Sequence, residues 1–115
     1  MKIKDSNVTV LVKDMDKAIA FYDLIGLTKK NRWGNHYAQM EAPGLVIGLH
    51  PLSDSNAQTG SGSISIGFTV DNFEEAKTLL QILSVGFTER NEEGGKFLHF
   101  NDKDGTELYF IEPKW

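Results

Sequence analysis

The side chains that could carry chemistry in this chain are three histidines, sixteen acidic residues and scattered hydroxyls, since it contains no cysteine. A histidine that is neutral near pH 7 can act as a general base or bind a metal ion. His36 follows a Gly-Asn turn signal, His50 precedes a proline, and His99 alternates with apolar residues in a strand pattern. No spacing pairs any of them with an orienting carboxylate, so we assign no catalytic residue.

Two glycine clusters, at 44–48 and 60–62, and Ser65 are the features that other kinds of catalytic site would use. A phosphate-binding loop needs a fixed glycine spacing between a strand and a helix, and neither cluster fits it. Ser65 has no identifiable base partner. These patterns therefore favour neither a nucleotide-binding loop nor a serine hydrolase.

Four aromatic residues lie on predicted strand or terminal segments rather than on the helix stripes that fill a core: Trp33, Tyr37, Tyr109 and Trp115. Rings at the mouth of a cleft can stack on flat ligands or attract cations. The alternative for Trp33 and Tyr37 is cross-strand packing or a subunit contact. For Trp115 the alternative is that it covers the edge of the last strand.

Composition and charge narrow the class of protein. At 115 residues the chain is long enough for one compact domain. Its net charge of −4 argues against a nucleic-acid partner, because no basic patch is available to neutralise phosphates. No apolar run is long enough to span a bilayer and the N-terminus lacks a signal-peptide pattern. We therefore expect a cytoplasmic protein with no membrane partner.

The second half of the chain repeats the first, since VTVLVKDMDKAIAFYDLIGLT at 8–28 aligns with IGFTVDNFEEAKTLLQILSVGFT at 66–88. The aligned pairs are Val12 with Val70, Asp14 with Asn72, Met15 with Phe73, Ala18 with Ala76 and Tyr22 with Leu80. A two-residue insertion then aligns Gly26 with Gly86. A repeat of this length indicates one supersecondary unit used twice.

Each half predicts the order βαβββ, and hence an α+β fold. An alternating strand comes first, then a helix with an apolar stripe, then three shorter strands separated by turn signals. Asp14 and Asn72 are the expected helix N-caps, and Gly26 and Gly86 the expected left-handed helix terminators. The single domain, 1–115, then consists of module 1 (1–52), a polar Ser- and Gly-rich linker (53–63) and module 2 (64–115).

Three segments resemble the vicinal oxygen chelate superfamily, which includes glyoxalases, bleomycin-resistance proteins and extradiol dioxygenases. They are VLVKDMDKAIAFYDLIGL at 10–27, FTVDNFEEA at 68–76 and FNDKDGTELYFIEP at 100–113. The last is similar to the closing segment of that family, with Lys103 in place of its usual proline. The resemblance implies two tandem βαβββ modules that form a curled mixed sheet around a shared cleft, and it implies a homodimer.

The resemblance also implies four metal-ligand positions, one on the first and one on the last strand of each module. Here they are Asn7, Gly48, Ser65 and Tyr109. Metal sites of this family need His, Glu or Gln donors. Glycine has no side-chain donor, and the neutral Asn7 and Ser65 are poor ones. We therefore predict no metal ion and no other cofactor.

A register error of two residues would bring His50 and Glu107 into the cleft, because strand side chains alternate with a period of two. The alternative is thus one divalent metal ion near His50 and Glu107. The structural alternatives are a solvated strand end for His50 and an exposed carboxylate for Glu107. The predicted ligand-binding cleft comprises Asn7, Thr9, Trp33, Gly48, His50, Ser65, Thr69, Glu107 and Tyr109.

The sequence favours a non-enzymatic, metal-free protein that binds a small molecule, similar to the members that sequester an antibiotic or metabolite. One alternative is a glyoxalase- or dioxygenase-type metalloenzyme with a displaced site around His50, Glu107 and Tyr109. A second is a dimeric interaction module whose cleft is vestigial.

Overall fold

The computed structural model describes residues 1–52 and 58–114, so part of the predicted linker and Trp115 lie outside the described residues. The chain divides into two units, Met1–Gly60 and Ser61–Trp115. The first contains β1 (Val8–Val12), α1 (Met15–Leu24), β2 (Thr28–Trp33), β3 (Tyr37–Ala42) and β4 (Leu45–Pro51). The second contains β5 (Ser65–Thr69), α2 (Phe73–Ile82), β6 (Thr88–Glu92), β7 (Gly95–Asn101) and β8 (Glu107–Pro113).

Each unit holds one four-stranded mixed sheet, in the order β1-β4-β3-β2 in the first and β5-β8-β7-β6 in the second. The first and last strands of a unit pair in parallel, and the other neighbours pair antiparallel. The predicted α+β class with tandem βαβββ modules is confirmed. In the part of the chain that the structure describes, no helix is long and apolar enough to cross a membrane.

In the first unit, α1 packs on one face of the sheet and contacts β2, β3 and β4. The strands place their apolar alternate residues on that face, because side chains alternate across a sheet. The buried strand residues are Val10, Val12, Ala38, Met40, Ile47 and Leu49. Phe21 and Tyr22 fill the helix side of this core, and their rings meet edge to face at 5.4 Å. The opposite face of this sheet is not covered by the helix.

The second unit is built in the same way around α2, which contacts β8. Phe73, Ala76 and Leu80 form the buried stripe of the helix. The buried strand residues on the helix side are Ile66, Leu98, Phe100, Leu108 and Phe110, whereas Ile111 is buried on the opposite side, in register with Thr69 and Phe97. Lys96 Nζ lies 5.6 Å from the centroid of the Phe73 ring.

Both helices begin at the predicted caps. The Asp14 carboxylate accepts a hydrogen bond from Lys17 N, and the Asn72 side chain accepts one from Glu75 N, each at 3.0 Å. Each cap satisfies a backbone donor that has no partner within the helix. The expected positions of both N-caps are therefore confirmed.

The helix ends differ from the prediction in the second unit. Gly26 ends the first helix with a φ of 116°, and Leu27 N donates to Tyr22 O. The equivalent bond in the second unit, from Val85 N to Leu80 O, places Ser84 rather than Gly86 at the terminating position, with a φ of 57°. The expectation for Gly86 is wrong because the two-residue insertion follows the helix terminator instead of preceding it.

Ser84→Gly is expected to raise the free energy of unfolding by about 1 kcal/mol, because a side chain is disfavoured in the left-handed region. Urea unfolding followed by circular dichroism measures the change. The matched control is Gly26→Ser in the first unit, which should lower stability by about 1–2 kcal/mol. An unchanged or lower stability of Ser84→Gly would contradict this account of the helix end.

One ion pair joins α2 to the edge strand β6. Lys77 Nζ lies 2.9 Å from Glu89 Oε1. The hydrogen bond that Lys77 donates to Glu89, and then the charge of Glu89, raise the pKa of Lys77 above its ordinary value of 10.5. Because the higher pKa belongs to the folded state, the pair stabilises the fold below pH 10.5. That contribution is lost as the pH rises through the raised pKa.

Candidate functional site

The sheet face opposite the helix carries the polar and aromatic side chains in each unit. We call these surfaces the first face and the second face. On the first face, Thr9 of β1 pairs with Gly48 of β4, which in turn pairs with Gln39 of β3. The second face is a row-by-row counterpart on β5, β8, β7 and β6.

The centre of the first face is closed by Tyr37. A Cβ added at Gly48 would collide with the Tyr37 hydroxyl oxygen and lie 2.9 Å from Thr9 Oγ1. Only glycine leaves room for the ring at this point. Gly48 is therefore buried although it stands on the open face of the sheet.

The Tyr37 hydroxyl is held by Asn7. Asn7 Nδ2 donates to Tyr37 Oη at 3.1 Å and to Thr9 Oγ1 at 3.0 Å. Three side chains from β3, β1 and the residue before β1 thus form one hydrogen-bonded group. The amide of Asn7 serves this group with its donor nitrogen, which cannot bind a cation.

Trp33 extends the aromatic surface of the first face. Its ring stacks on Tyr37 with centroids 5.6 Å apart and an interplanar angle of 24°. The side chain remains half exposed, at 52 %, so one face of the indole is open. Arg32 fixes the adjoining turn by pairing with Asp16 at 2.7 Å and donating to Gly34 O at 2.8 Å.

His50 lies at the far end of the first face, paired in register with Leu11. Its side chain is exposed, and Nδ1 lies 2.9 Å from the carbonyl oxygen of Pro51. The other ring nitrogen, Nε2, makes no hydrogen bond with the described residues. His50 therefore has the solvated strand-end position that was one of its two expected placements.

The second face contains a pocket of about 540 Å³. Its lining is ordered in rows, because paired residues on neighbouring strands share a face. Ser65, Glu107 and Asn101 form a polar row. Tyr109, His99 and Thr88 form the next row, followed by Phe97 and Arg90.

Three rings form a continuous surface on the second face. The Phe97 and His99 rings are 5.8 Å apart and nearly parallel, at 14°. The Tyr109 ring lies 5.5 Å from His99 and 6.0 Å from Phe97. A Cβ at Gly67 would collide with the Tyr109 ring, so Gly67, like Gly48 on the first face, leaves room for a tyrosine ring from another strand.

The four positions that the resemblance assigns to metal ligands do not fit a divalent cation. Gly48 offers no donor and is covered by a ring, and Asn7 offers only a neutral amide oxygen. Ser65 is a neutral hydroxyl, and the Tyr109 ring packs over Gly67. Within residues 1–52 and 58–114, no three His, Asp or Glu side chains form a group able to hold a metal ion.

The structure groups the predicted cleft residues unevenly. Asn7, Thr9 and Gly48 come together under Tyr37, with Trp33 stacked beside it. On the second face, Ser65 and Glu107 are paired, and Tyr109 follows in the next row. Thr69 instead lines a separate depression of about 750 Å³ with Val70, Asp71, Glu112 and Pro113.

Several side chains of these faces were not among the predicted site residues: Tyr37, Arg90, Phe97, His99 and Asn101. The strand alternation at 95–101 already places Phe97, His99 and Asn101 on one side, and that signal was sufficient to find them. Tyr37 was recognised as an aromatic strand residue. Its position over Gly48 depends on a cross-strand contact that the sequence pattern does not contain.

No family model matches this chain. It is 28% identical to the metallothiol transferase FosB of Lysinibacillus sphaericus, over 86% of this chain and 74% of that protein. The fold matches the fosfomycin resistance protein FosX of Listeria monocytogenes, in complex with Mn(II) and sulfate, with a TM-score of 0.78. That match has 21% identity and covers 99% of this chain and 93% of the other. A glyoxalase family protein of Bacillus anthracis matches with a TM-score of 0.75 and 16% identity, covering 99% and 100% of the two chains.

These likenesses and the two βαβββ units agree on one class of protein. The chain has the vicinal oxygen chelate fold, and the resemblance to that superfamily indicated by its sequence is confirmed.

Proposed function

We propose that this protein binds a small organic molecule without a metal ion. The proposal depends on one observation. At the β4 position where the family resemblance implies a metal ligand, Gly48 has no side-chain donor and is covered by Tyr37. The pocket of the second face supports it independently. Ligand sites are typically apolar or aromatic surfaces with a few directing polar groups, and this pocket has both.

The relatives favour a second candidate function. FosX is complexed with Mn(II), and FosB is by name a metallothiol transferase. A metal-dependent enzyme of glyoxalase or dioxygenase type would then have to use the displaced residues His50, Glu107 and Tyr109. The exposed side chains of His50 and Glu107 are the observation that keeps this candidate.

Metal titration separates the two functions. Untagged protein is treated with EDTA, dialysed, and heated with Mn²⁺, Ni²⁺, Zn²⁺ or Fe²⁺. We expect the melting temperature to stay within about 1 °C of the metal-free value, whereas a ligand at 100 times its Kd would stabilise by about 2.7 kcal/mol and shift it by several degrees. Elemental analysis of freshly purified protein should find far less than one metal per chain.

His50→Ala and Glu107→Ala are the matched variants for this titration. A metal-induced shift that either variant abolishes would overturn the metal-free proposal and favour the metalloenzyme candidate. A shift that survives both variants would overturn it as well, with the metal held elsewhere. In EDTA, a library of antibiotics and metabolites should contain compounds that raise the melting temperature, and a library without one contradicts a binding function.

The homodimer and the cytoplasmic location stay predictions. Sedimentation equilibrium of the purified chain measures the first, and the expected result is a mass of two chains. The interaction-module alternative requires Trp33 and Tyr37 to be buried in that dimer. Quenching of Trp33 fluorescence by acrylamide distinguishes the two cases, because a ring buried in the dimer is quenched less than a ring on an open face.

A further inference from the structure

The pocket of the second face has an aromatic surface and an acidic end within one small volume. We propose that it binds a planar aromatic amine, with the ring on Phe97 and His99 and the ammonium group at Glu107. The inference rests on the proposed function and names its ligand class. The volume of about 540 Å³ lies in the range of small-molecule sites, and it is ample for a bicyclic ring with a short chain.

The ring surface determines the shape of the ligand. The Phe97 and His99 rings project from the same strand and are stacked, with centroids 5.8 Å apart and an angle of 14°, so a planar ligand ring can extend this pair, which we call the aromatic platform, by lying parallel to it. Tyr109 borders it at 5.5 Å from His99. A planar ring gains most from such a platform, because offset stacking depends on parallel faces. A saturated ring of equal size would lose that contribution.

The acidic end determines the charge of the ligand. The carboxylate of Glu107 is exposed and makes no hydrogen bond or ion pair with the described residues. Its backbone N donates to Ser61 Oγ at 2.9 Å, which fixes the start of β8. Asn101, its cross-strand neighbour, donates to Gly105 O with Nδ2 and leaves its side-chain oxygen to accept.

An ammonium group matches this end because it has three donors and no acceptor. The carboxylate, the Asn101 amide oxygen and the Ser65 hydroxyl can accept one bond each. The pocket also contains Arg90, two rows from Glu107, and Glu92, one row further, and these opposite charges lie 3.9 Å apart, so that end of the pocket has no net positive charge. An anionic ligand such as a phosphonate would meet the Glu107 carboxylate without a free cation to balance it.

The spacing of the rows sets the length of the ligand. Alternate residues on one strand are about 7 Å apart, so the polar row lies about 7 Å from His99 and about 13 Å from Phe97. A ring on the platform, nearest His99, therefore needs its cation about two carbon atoms from the ring. Arylethylamines have that length, and tryptamine is the probe.

The test is an NMR titration of ¹⁵N-labelled, EDTA-treated protein with three probes. Tryptamine has the ring and the cation, 3-indolepropionate has the same ring with the opposite charge, and 2-cyclohexylethylamine has the cation without a planar ring. Tryptamine is expected to shift the amide signals of Phe97, His99, Asn101 and Glu107. The other two probes should bind at least about tenfold more weakly.

Glu107→Gln should weaken tryptamine about tenfold or more and abolish its preference over 3-indolepropionate, since a charge-assisted hydrogen bond is lost. Glu93→Gln is the matched control, because Glu93 is exposed in the turn after β6 and does not line the pocket, and it should leave the tryptamine affinity within about twofold. The spectra of both variants also report whether the fold is intact.

Equal binding of tryptamine and 3-indolepropionate, shifts confined to the first unit, or an unchanged affinity in Glu107→Gln would each overturn the inference. Its failure is distinguishable from failure of the proposed function. If another compound of the library binds in EDTA and tryptamine does not, the ligand class is wrong and metal-free binding stands. If metal ions shift the melting temperature, the proposed function fails whatever tryptamine does.

Discussion

Gly95→Ala is expected to lower the free energy of unfolding by about 3 kcal/mol or more. Gly95 begins β7 with a φ of 148°, a conformation that side chains disfavour. An added Cβ would also collide with the carbonyl oxygen of Glu112 and lie 3.0 Å from Pro113 Cα on the neighbouring strand β8. Both obstacles are backbone atoms, so no rotation of a side chain relieves the contact.

Two other glycines separate the causes of this effect. Gly86 does not have a positive φ and has nothing within 4 Å of an added Cβ, so Gly86→Ala should change stability by less than about 0.5 kcal/mol. Gly26 has a positive φ and equally open surroundings, so Gly26→Ala should show the conformational cost alone, about 1–2 kcal/mol.

Urea unfolding of the three variants gives the ranking directly. The expected order of destabilisation is Gly95→Ala, then Gly26→Ala, then Gly86→Ala. A Gly95→Ala variant as stable as Gly26→Ala would show that the approach of Glu112 and Pro113 costs nothing. Because Phe97 and His99 both lie on β7, Gly95→Ala should also weaken tryptamine binding.

Asp102→Ala is expected to cost about 2–3 kcal/mol, because it removes two charge-assisted hydrogen bonds at the other end of β7. Asp102 Oδ1 accepts from Asp104 N at 2.9 Å and from Thr106 N at 2.8 Å. The Asp102 side chain and Thr106 are buried, so water cannot easily replace the lost acceptor. The turn that leads to Glu107 would lose the carboxylate that accepts from its backbone N–H groups.

Asp102→Asn and Lys103→Ala make this prediction specific. The asparagine keeps an oxygen in the accepting position, so it should restore more than half of the loss. Lys103 is exposed in the same turn, and its replacement should change the free energy of unfolding by less than about 0.5 kcal/mol. An asparagine variant as unstable as the alanine variant would mean that the charge, not the acceptor, maintains the turn.

The order of elements could be predicted from the sequence because two periods alternate along the chain. Val8, Val10 and Val12 have the period of a strand, and Met15, Ala18 and Tyr22 have that of a helix. The N-caps followed from residue type alone. The helix terminator at Ser84 did not, because aligning Gly86 with Gly26 placed the insertion on the wrong side of the helix end.

Strand alternation predicts which residues of the candidate site share a face of the sheet, but not how their side chains contact one another. Alternation and the family resemblance gave Asn7, Thr9 and Gly48 as one face, and the register agrees with that grouping. Neither could give the direction of a side chain between strands. The Tyr37 ring over Gly48 and the parallel rings of Phe97 and His99 result from rotamers that neighbouring strands select together.

The contact of Tyr37 with Gly48 restricts how this chain can evolve. A single mutation that gives position 48 a side chain such as that of Glu would collide with the ring. A single mutation that removes the ring would uncover the glycine and leave Asn7 Nδ2 with Thr9 alone. Either order passes through a less stable intermediate, because contacting residues do not contribute independently. Positions 37 and 48 are therefore coupled, and replacing either residue alone is expected to cost more stability than replacing both together.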